Sequence, residues 1–167
     1  DATDNKIKGE RMQDIELVLR FVALYAFEGN RPEEQNLDDF LNDMVENRCV
    51  SWDENKWGEI ESAFYRALDA GVKIFGKFAF RKFSAPKWSR GPINRSLFET
   101  EMVILAHRNP SELSILADRS SKVLEGLAAL FNKEDFANPL LYATGRGSSS
   151  NKRLELLGEL LDGVLNA

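Results

Sequence analysis

Apolar residues recur at helical spacing along most of this chain, and that spacing constrains its fold more than any other feature. The segment LDDFLNDMVEN gives the clearest case, and Asn36 just before it predicts an N-cap. Its apolar side chains stand at i, i+3, i+4, i+7 and i+8 on one helix face: Leu37, Phe40, Leu41, Met44 and Val45. Apart from the ambiguous KFAFRKF, no segment of useful length alternates apolar and polar residues as a half-buried strand does. The sequence therefore predicts an all-α fold, a single compact multi-helix domain with about five to seven helices.

Two further helices are predicted from their first residues. Ser51 with Glu54 three residues later has the spacing of a capping box, which would open a helix across WDENKWGEIESAFYRALDA. The buried face of that helix is predicted to carry Trp57, Ile60, Phe64 and Leu68. Asn94 introduces RSLFETEMVILAH, where Glu99 and Glu101 are interpreted as charges early in a helix that the Asn-Pro pair closes.

The remaining helices are predicted from longer apolar patterns. Residues 12–27, MQDIELVLRFVALYAF, are almost entirely apolar, which favours the central helix of the domain. One helix is expected from Ser111 to Phe131 and a last one across KRLELLGELLDGVL, with a broken stretch between them. These faces predict a buried set: Leu17, Phe21, Phe40, Leu41, Phe64, Phe98, Leu105, Leu127 and Leu157.

Length and composition set the expected class of protein. With 167 residues and an apolar content of 43%, residues 1–167 are expected to form one domain around one core. A single cysteine, Cys49, cannot form an internal disulfide, which favours a reducing, cytoplasmic environment. No apolar run reaches the roughly 20 residues of a membrane-spanning helix, so no membrane partner is expected. Since the chain begins at Asp1 rather than at a methionine, we expect it to be part of a longer protein.

The scarcity of histidine and cysteine argues against several kinds of active site. Zinc sites need three or four such ligands and nucleophilic triads need a positioned base, whereas this chain has only His107 and Cys49. His107 ends a predicted helix, where a capping or surface position is expected. The sequence therefore predicts no catalytic residue, no metal site and no cofactor. A small metal-dependent nuclease that uses carboxylates alone is the enzyme alternative.

Positive charge is concentrated in one stretch, the basic segment KIFGKFAFRKFSAPKWSRGPINR. From Lys73 to Arg95 it holds seven basic residues and no acidic one, which leaves 15 of the 22 basic residues and all 27 acidic residues to the rest of the chain. Five aromatic residues accompany these charges: Phe75, Phe78, Phe80, Phe83 and Trp88. This concentration exceeds what uniform solubility requires, and it predicts contact with a polyanion.

Two interpretations of the basic segment stay open. Basic side chains neutralise phosphates while exposed aromatic rings stack on unpaired bases, as in grooves that bind single-stranded nucleic acid. Alternatively, the phenylalanines fill the core and the charges meet acidic helices of the same protein. We expect core phenylalanines, with a nucleic-acid surface formed by Lys77, Arg81, Lys82, Lys87, Arg90 and Arg95. Arg81 is also a candidate for a buried stem whose head pairs with an acidic helix.

A second candidate site, for a phosphate or another anion, is GRGSSSNKR at residues 145–153. It lacks the spacing of a Walker A loop, but small residues leading into a helix N-terminus expose backbone N–H groups to an anion. The predicted anion ligands are Arg146, Ser149, Lys152 and Arg153. The alternative is a Ser/Gly linker in which Ser149 or Ser150 caps the last helix.

Several segments resemble, in order, one family of bacterial proteins. KGERMQDIELVLRFVALY, LDDFLNDMVEN and, most specifically, VKIFGKFAFRKF running into GPINRSLFETEMVILA are similar to the C-terminal helical half of ParB-like, GmrS-like proteins, domain-of-unknown-function family 262. TGRGSSSNKRLELLGELL is a weaker match to the turn before the last helix of that family. The resemblance covers roughly residues 6 to 165, and ordered agreement over several segments is harder to produce by chance than one short motif.

The resemblance implies a role in restriction and anti-phage defence. The ParB-like N-terminal domain of the family carries an Asp-Gly-Gln-Gln-Arg signature linked to nucleotide hydrolysis or DNA nicking, and many members add a His-Asn-His nuclease domain. This sequence contains neither signature, so the catalytic residues of the family cannot be assigned to it. We expect a non-catalytic module that binds or positions DNA or the ParB-like domain. The alternative is a protein interaction or oligomerisation domain without a nucleic-acid ligand.

Overall fold

The fold is a helical body that carries one small hairpin. The computed structural model describes residues 13–85, 87–142 and 145–167. In chain order its main elements are α1 (Gln13–Ala26), α2 (Leu37–Asp43), α3 (Glu54–Phe75), β1 (Arg81–Ser84), β2 (Ser89–Ile93), α4 (Arg95–Ala106), α5 (Pro110–Asp118), α6 (Ser120–Leu130), α7 (Glu134–Leu141) and α8 (Gly147–Leu165). The mainly helical class is confirmed. The finer prediction is corrected, because these residues form eight α-helices rather than five to seven, and a two-stranded sheet joins them.

The additional helices come from the second half of the chain. The helix expected over residues 111–131 is two helices, α5 and α6, because the backbone turns at Arg119 with φ −103° and ψ 23°. The Asn-Pro pair predicted to close α4 lies beyond the end of that helix and opens α5, where Asn109 and Glu112 form a complete capping box. The stretch expected to be broken contains α7.

Capping residues were predicted correctly for α2 and α4 but not for α3. Asn36 and Asn94 cap α2 and α4, each accepting the backbone N–H three residues on at 2.9 Å. The capping box of Ser51 and Glu54 is wrong, because Ser51 lies in a 3-10 turn and Asp53 is the N-cap of α3. The Asp53 carboxylate accepts a backbone N–H at 2.9 Å, and its negative charge also suits the helix N-terminus.

The most enclosed helix is α4, not α1. Every residue from Ser96 to Ala106 is buried, and α4 packs against α1, α3 and α8. By contrast, α1 leaves Ile15 and Val18 exposed at 60% and 44%. The prediction that α1 is central is therefore wrong, because α1 covers one side of the body while α4 is covered from several.

One hydrophobic core joins the described helices and the hairpin. Of the nine residues expected to be buried, eight are, whereas Phe64 is half-buried and its ring meets that of Phe21 edge to face, with the centroids 5.2 Å apart. Four of the seven buried residues of α3 are alanine or glycine, and the full set is Ile60, Ala63, Ala67, Ala70, Gly71, Ile74 and Phe75. Small side chains let helices approach closely, so this buried stripe of α3 faces inward. Trp57 was predicted to lie on the buried face, but it stays 43% exposed.

Candidate nucleic-acid interface

The basic segment leaves the end of α3, forms the β1–β2 hairpin and enters α4. In the hairpin, Phe83 lies directly opposite Arg90, and the register then shifts so that Lys82 faces both Gly91 and Pro92. A β-carbon on Gly91 would lie 2.9 Å from the Lys82 carbonyl oxygen, so this bulge requires a glycine. The ambiguous KFAFRKF therefore ends in a strand.

The hairpin is fastened at its base to a buried carboxylic acid. The backbone N–H of Phe80 donates to Glu101 Oε2 at 2.8 Å, and the Phe80 carbonyl accepts the N–H of Asn94 at 2.9 Å. Phe80 has φ 62°, a left-handed conformation that an aromatic residue rarely adopts. Glu101 is fully buried, and its Oε1 has no hydrogen-bond partner among the described residues. Burial raises the pKa of Glu101 well above its ordinary value, which favours the neutral acid.

Aromatic rings hold the hairpin against the helical body. The ring of Phe83 meets that of Phe131 edge to face, with the two centroids 5.2 Å apart. The centroids of the Phe83 and Phe78 rings are 4.6 Å apart. The expectation that the phenylalanines of the basic segment enter the core is confirmed for Phe75, Phe78, Phe80 and Phe83. Trp88 differs, because it packs on Phe78 and Phe83 yet stays 37% exposed.

Three lysines form the surface of the hairpin region that faces solvent. Lys77 and Lys87 are exposed and Lys82 is half-buried. Within residues 13–85, 87–142 and 145–167, none of the three forms an ion pair. The Lys77 ammonium lies 5.1 Å from the ring centroid of Phe78, so that the cation and the aromatic cluster are neighbours. The charges of these lysines are therefore not neutralised by an acidic side chain among the described residues.

The arginines predicted for the same surface have different surroundings. Arg90 is exposed and donates through Nη1 to the Lys77 carbonyl at 3.3 Å. Arg95 pairs with Glu16 at 3.2 Å, so its charge is already partly neutralised. Arg81 is only 4% exposed and donates to a backbone carbonyl of β2 at 3.2 Å. Arg81 was predicted to be a surface ligand, and this prediction is corrected, because the residue is buried and supports the hairpin. The alternative given for Arg81, a buried stem whose head pairs with an acidic helix, expected the burial.

The four residues predicted to bind an anion do not converge on one surface. Arg146 is exposed at the N-cap of α8, and Ser149 is half-buried. Lys152 pairs with Glu155 at 3.0 Å. Arg153 is corrected to an interior residue, because it is 0% exposed and forms a buried ion pair.

The first turn of α8 serves as a packing contact. The helix begins at Gly147, so the serines predicted to form a linker or a cap are helical, and no side chain of the described residues caps the helix. A β-carbon on Gly147 would lie 2.0 Å from the Pro32 carbonyl oxygen. Asn151 holds the same loop by accepting the Arg31 N–H at 3.1 Å and donating to the Arg31 carbonyl at 2.8 Å.

Sequence reasoning missed a buried charge network around Glu99. Arg153 donates through Nη2 to Glu99 Oε1, and Arg20 donates through Nη1 to Glu99 Oε2 at 3.1 Å. Arg153 Nε also donates to Thr100 Oγ1 at 3.3 Å. Burial lowers the pKa of Arg153, an effect that Glu99 opposes. The sequence did contain a signal for this network, since Arg20 and Arg153 each lie within an amphipathic or apolar helical segment. An unpaired charge buried there is costly, so each arginine needs an acidic partner.

A cleft of about 480 Å³ contains no residue of the basic segment. It lies between the C-terminal end of α1 and the helices α4 and α8. Its walls carry three glutamates, Glu28, Glu112 and Glu155, against one arginine, and this excess of negative charge does not suit a polyanion. His107 lines this cleft, follows α4 as its C-cap and stacks on Tyr25 at 4.7 Å. Burial lowers the pKa of His107. The prediction of a capping position is confirmed.

Other kinds of site have little support in the described residues. Across those ranges, no three His, Cys, Asp or Glu side chains lie together as a metal site needs. None of the helices formed there has both the length and the apolar character needed to cross a membrane. Comparisons with protein-family models, curated proteins and solved structures give no match to this chain.

Proposed function

We propose that this chain is a non-catalytic helical module that binds nucleic acid through the β1–β2 hairpin. One observation carries the proposal: Lys77, Lys82 and Lys87 lie on an acid-free hairpin region and form no ion pair with any described residue. The chain as a whole has a net charge of −5, so this positive surface stands against an acidic background. Such a local field attracts phosphate groups, and lysines bind them by releasing condensed counterions.

The biological setting of the proposal comes from the family resemblance. The segments most similar to GmrS-like proteins are those that form the hairpin and α4. We therefore propose a place in a bacterial restriction or anti-phage defence protein of the cytoplasm. In such a protein the module would hold DNA for a ParB-like domain, which would supply the nucleotide-dependent chemistry.

The salt dependence of DNA binding tests this proposal. The chain is titrated against a fluorescently labelled 12-nucleotide single strand between 50 and 200 mM salt. Each lysine that neutralises one phosphate of a single strand contributes about −0.7 to the slope of log affinity against log salt, so three lysines predict about −2. The double variant Lys82→Gln with Lys87→Gln is expected to reduce that slope by about 1.4.

A second double variant controls for net charge. Lys56→Gln with Lys122→Gln removes two lysines from α3 and α6 and is expected to keep the slope of the unsubstituted protein. Circular dichroism checks that both variants are folded. If the folded protein shows no binding at the lowest salt, or if both variants weaken binding equally, the hairpin proposal is wrong. The interaction or oligomerisation alternative would then be favoured.

A further inference from the structure

Trp88 lies at the tip of the hairpin, where it packs on two phenylalanine rings and stays partly exposed. Its ring centroid is 5.6 Å from that of Phe83, with nearly parallel planes, and 5.7 Å from that of Phe78. The two phenylalanine centroids are only 4.6 Å apart, so both rings lie on the same side of the indole. Trp88 as a whole is 37% exposed, so these contacts leave part of it open to solvent.

The backbone holds this ring in a strained position. Trp88 has φ 48°, in the left-handed region that hairpin turns ordinarily fill with glycine or asparagine. Such strain persists where surrounding contacts over-determine it, and it occurs often at ligand-binding positions. Here the contacts with Phe78 and Phe83 hold the indole in place, so that a ligand meets a pre-positioned ring.

Basic residues lie near Trp88 in the hairpin region. Lys87 is the neighbouring residue in the chain, and Lys77 lies against Phe78, one of the rings that supports Trp88. Arg90 faces Phe83 across the strands and therefore shares its face of the hairpin. A flat aromatic face beside several cations matches a base and the phosphates that flank it.

We propose that Trp88 is a stacking platform for an unpaired base, so that the hairpin binds single-stranded nucleic acid in preference to a duplex. Bases in a duplex are already stacked on one another and present no free face to an indole. The inference rests on the proposed function, because the lysines supply the phosphate contacts that bring the strand to Trp88.

The test compares two strands that have the same phosphates. The full chain is titrated with a labelled 12-nucleotide oligothymidine and with an abasic strand of equal length. The oligothymidine is expected to bind at least about tenfold more tightly, since stacking of one base on an aromatic ring has an effect of that order. Trp88→Leu is expected to remove this preference without changing affinity for the abasic strand. Trp57→Leu removes another exposed tryptophan, on α3, and is expected to retain the preference.

The outcomes separate this inference from the proposed function. Equal affinity for the two strands, with the salt slope retained, overturns the stacking inference and leaves the proposed function standing. No binding to either strand overturns both. Trp88→Phe keeps an aromatic ring and is expected to show an intermediate preference, which provides a second reading if Trp88→Leu does not fold. A preference that survives in folded Trp88→Leu also overturns the inference.

Discussion

Arg153 of α8 donates to Glu99 of α4 in the interior, where 0% and 2% of the two side chains are exposed. The second oxygen of the same carboxylate accepts Arg20 of α1 at 3.1 Å. One buried carboxylate therefore joins three helices. Each charge depends on the others, because an ion taken out of water is tolerated only when opposite charges and hydrogen bonds replace its hydration.

Removing this carboxylate is expected to destabilise the fold strongly. Glu99→Ala leaves the guanidinium groups of Arg20 and Arg153 without their shared partner, which predicts a loss of about 3–5 kcal/mol in the free energy of unfolding. Urea denaturation measures it. As a control, Asp69→Ala breaks an exposed pair with Lys73 and is expected to change stability by less than about 1 kcal/mol. Similar effects of the two substitutions would contradict the network's role.

Glu101 is expected to make the protein less stable as pH rises. Burial raises its pKa in the folded state well above the ordinary value of 4.5, so the folded protein keeps a proton that the unfolded chain loses. This contribution is fully present below the unfolded-state pKa and is lost as pH rises through the folded-state pKa. The limiting slope is about −1.4 kcal/mol per pH unit. Glu101→Gln stays neutral and can accept the Phe80 N–H at any pH, so it should lack this slope.

The measurement is the free energy of unfolding of the two proteins from pH 5 to pH 9. As pH increases, the free energy of unfolding of Glu101→Gln is expected to rise relative to that of the unsubstituted protein. Glu125→Gln, at an exposed position on α6, serves as the control and should follow the unsubstituted protein. Parallel profiles for all three proteins would show that Glu101 does not couple to folding.

Replacing each of two glycines of α8 with alanine is expected to change the stability of the protein in opposite directions. At Gly163 no atom of the described residues lies within 4 Å of an added β-carbon, so Gly163→Ala should stabilise by about 0.5–1 kcal/mol through helix propensity. At Gly147 the β-carbon would lie 2.0 Å from the Pro32 carbonyl oxygen and 3.0 Å from Glu33 Cα, both backbone atoms. Gly147→Ala should therefore destabilise by about 1–3 kcal/mol. Thermal unfolding checks both, and a raised Tm for Gly147→Ala would refute the close contact.

Arg81 and its neighbour Lys82 are expected to affect different properties. Arg81→Gln removes a buried charge that donates to a hairpin carbonyl, which predicts a loss of about 1–3 kcal/mol in stability. Lys82→Gln should leave stability within about 0.5 kcal/mol and weaken binding to single-stranded DNA instead. Urea denaturation and a DNA titration on both variants distinguish the two roles. A reduced free energy of unfolding for Lys82→Gln would show that Lys82, like Arg81, supports the fold.

The sequence by itself determined much of the local structure. Helical spacing of apolar residues and the capping asparagines Asn36 and Asn94 are read over a few neighbouring residues, so the corresponding helices were predictable. The same holds for the phenylalanines of the basic segment, whose hydrophobicity favours burial in any compact fold. The concentration of charge in that segment is likewise a property of the order of its residues alone.

Only the tertiary structure decided which side chains meet. Glu99 looks like an ordinary charge early in a helix, and it is buried because Arg20 and Arg153 reach it from 79 and 54 residues away in the chain. Packing of α8 on the Pro32 loop likewise made the serine segment helical, although its composition favours a linker. The physical reason is that the free energy of burying a charge or joining two backbones depends on partners distant in sequence, which local propensity does not contain.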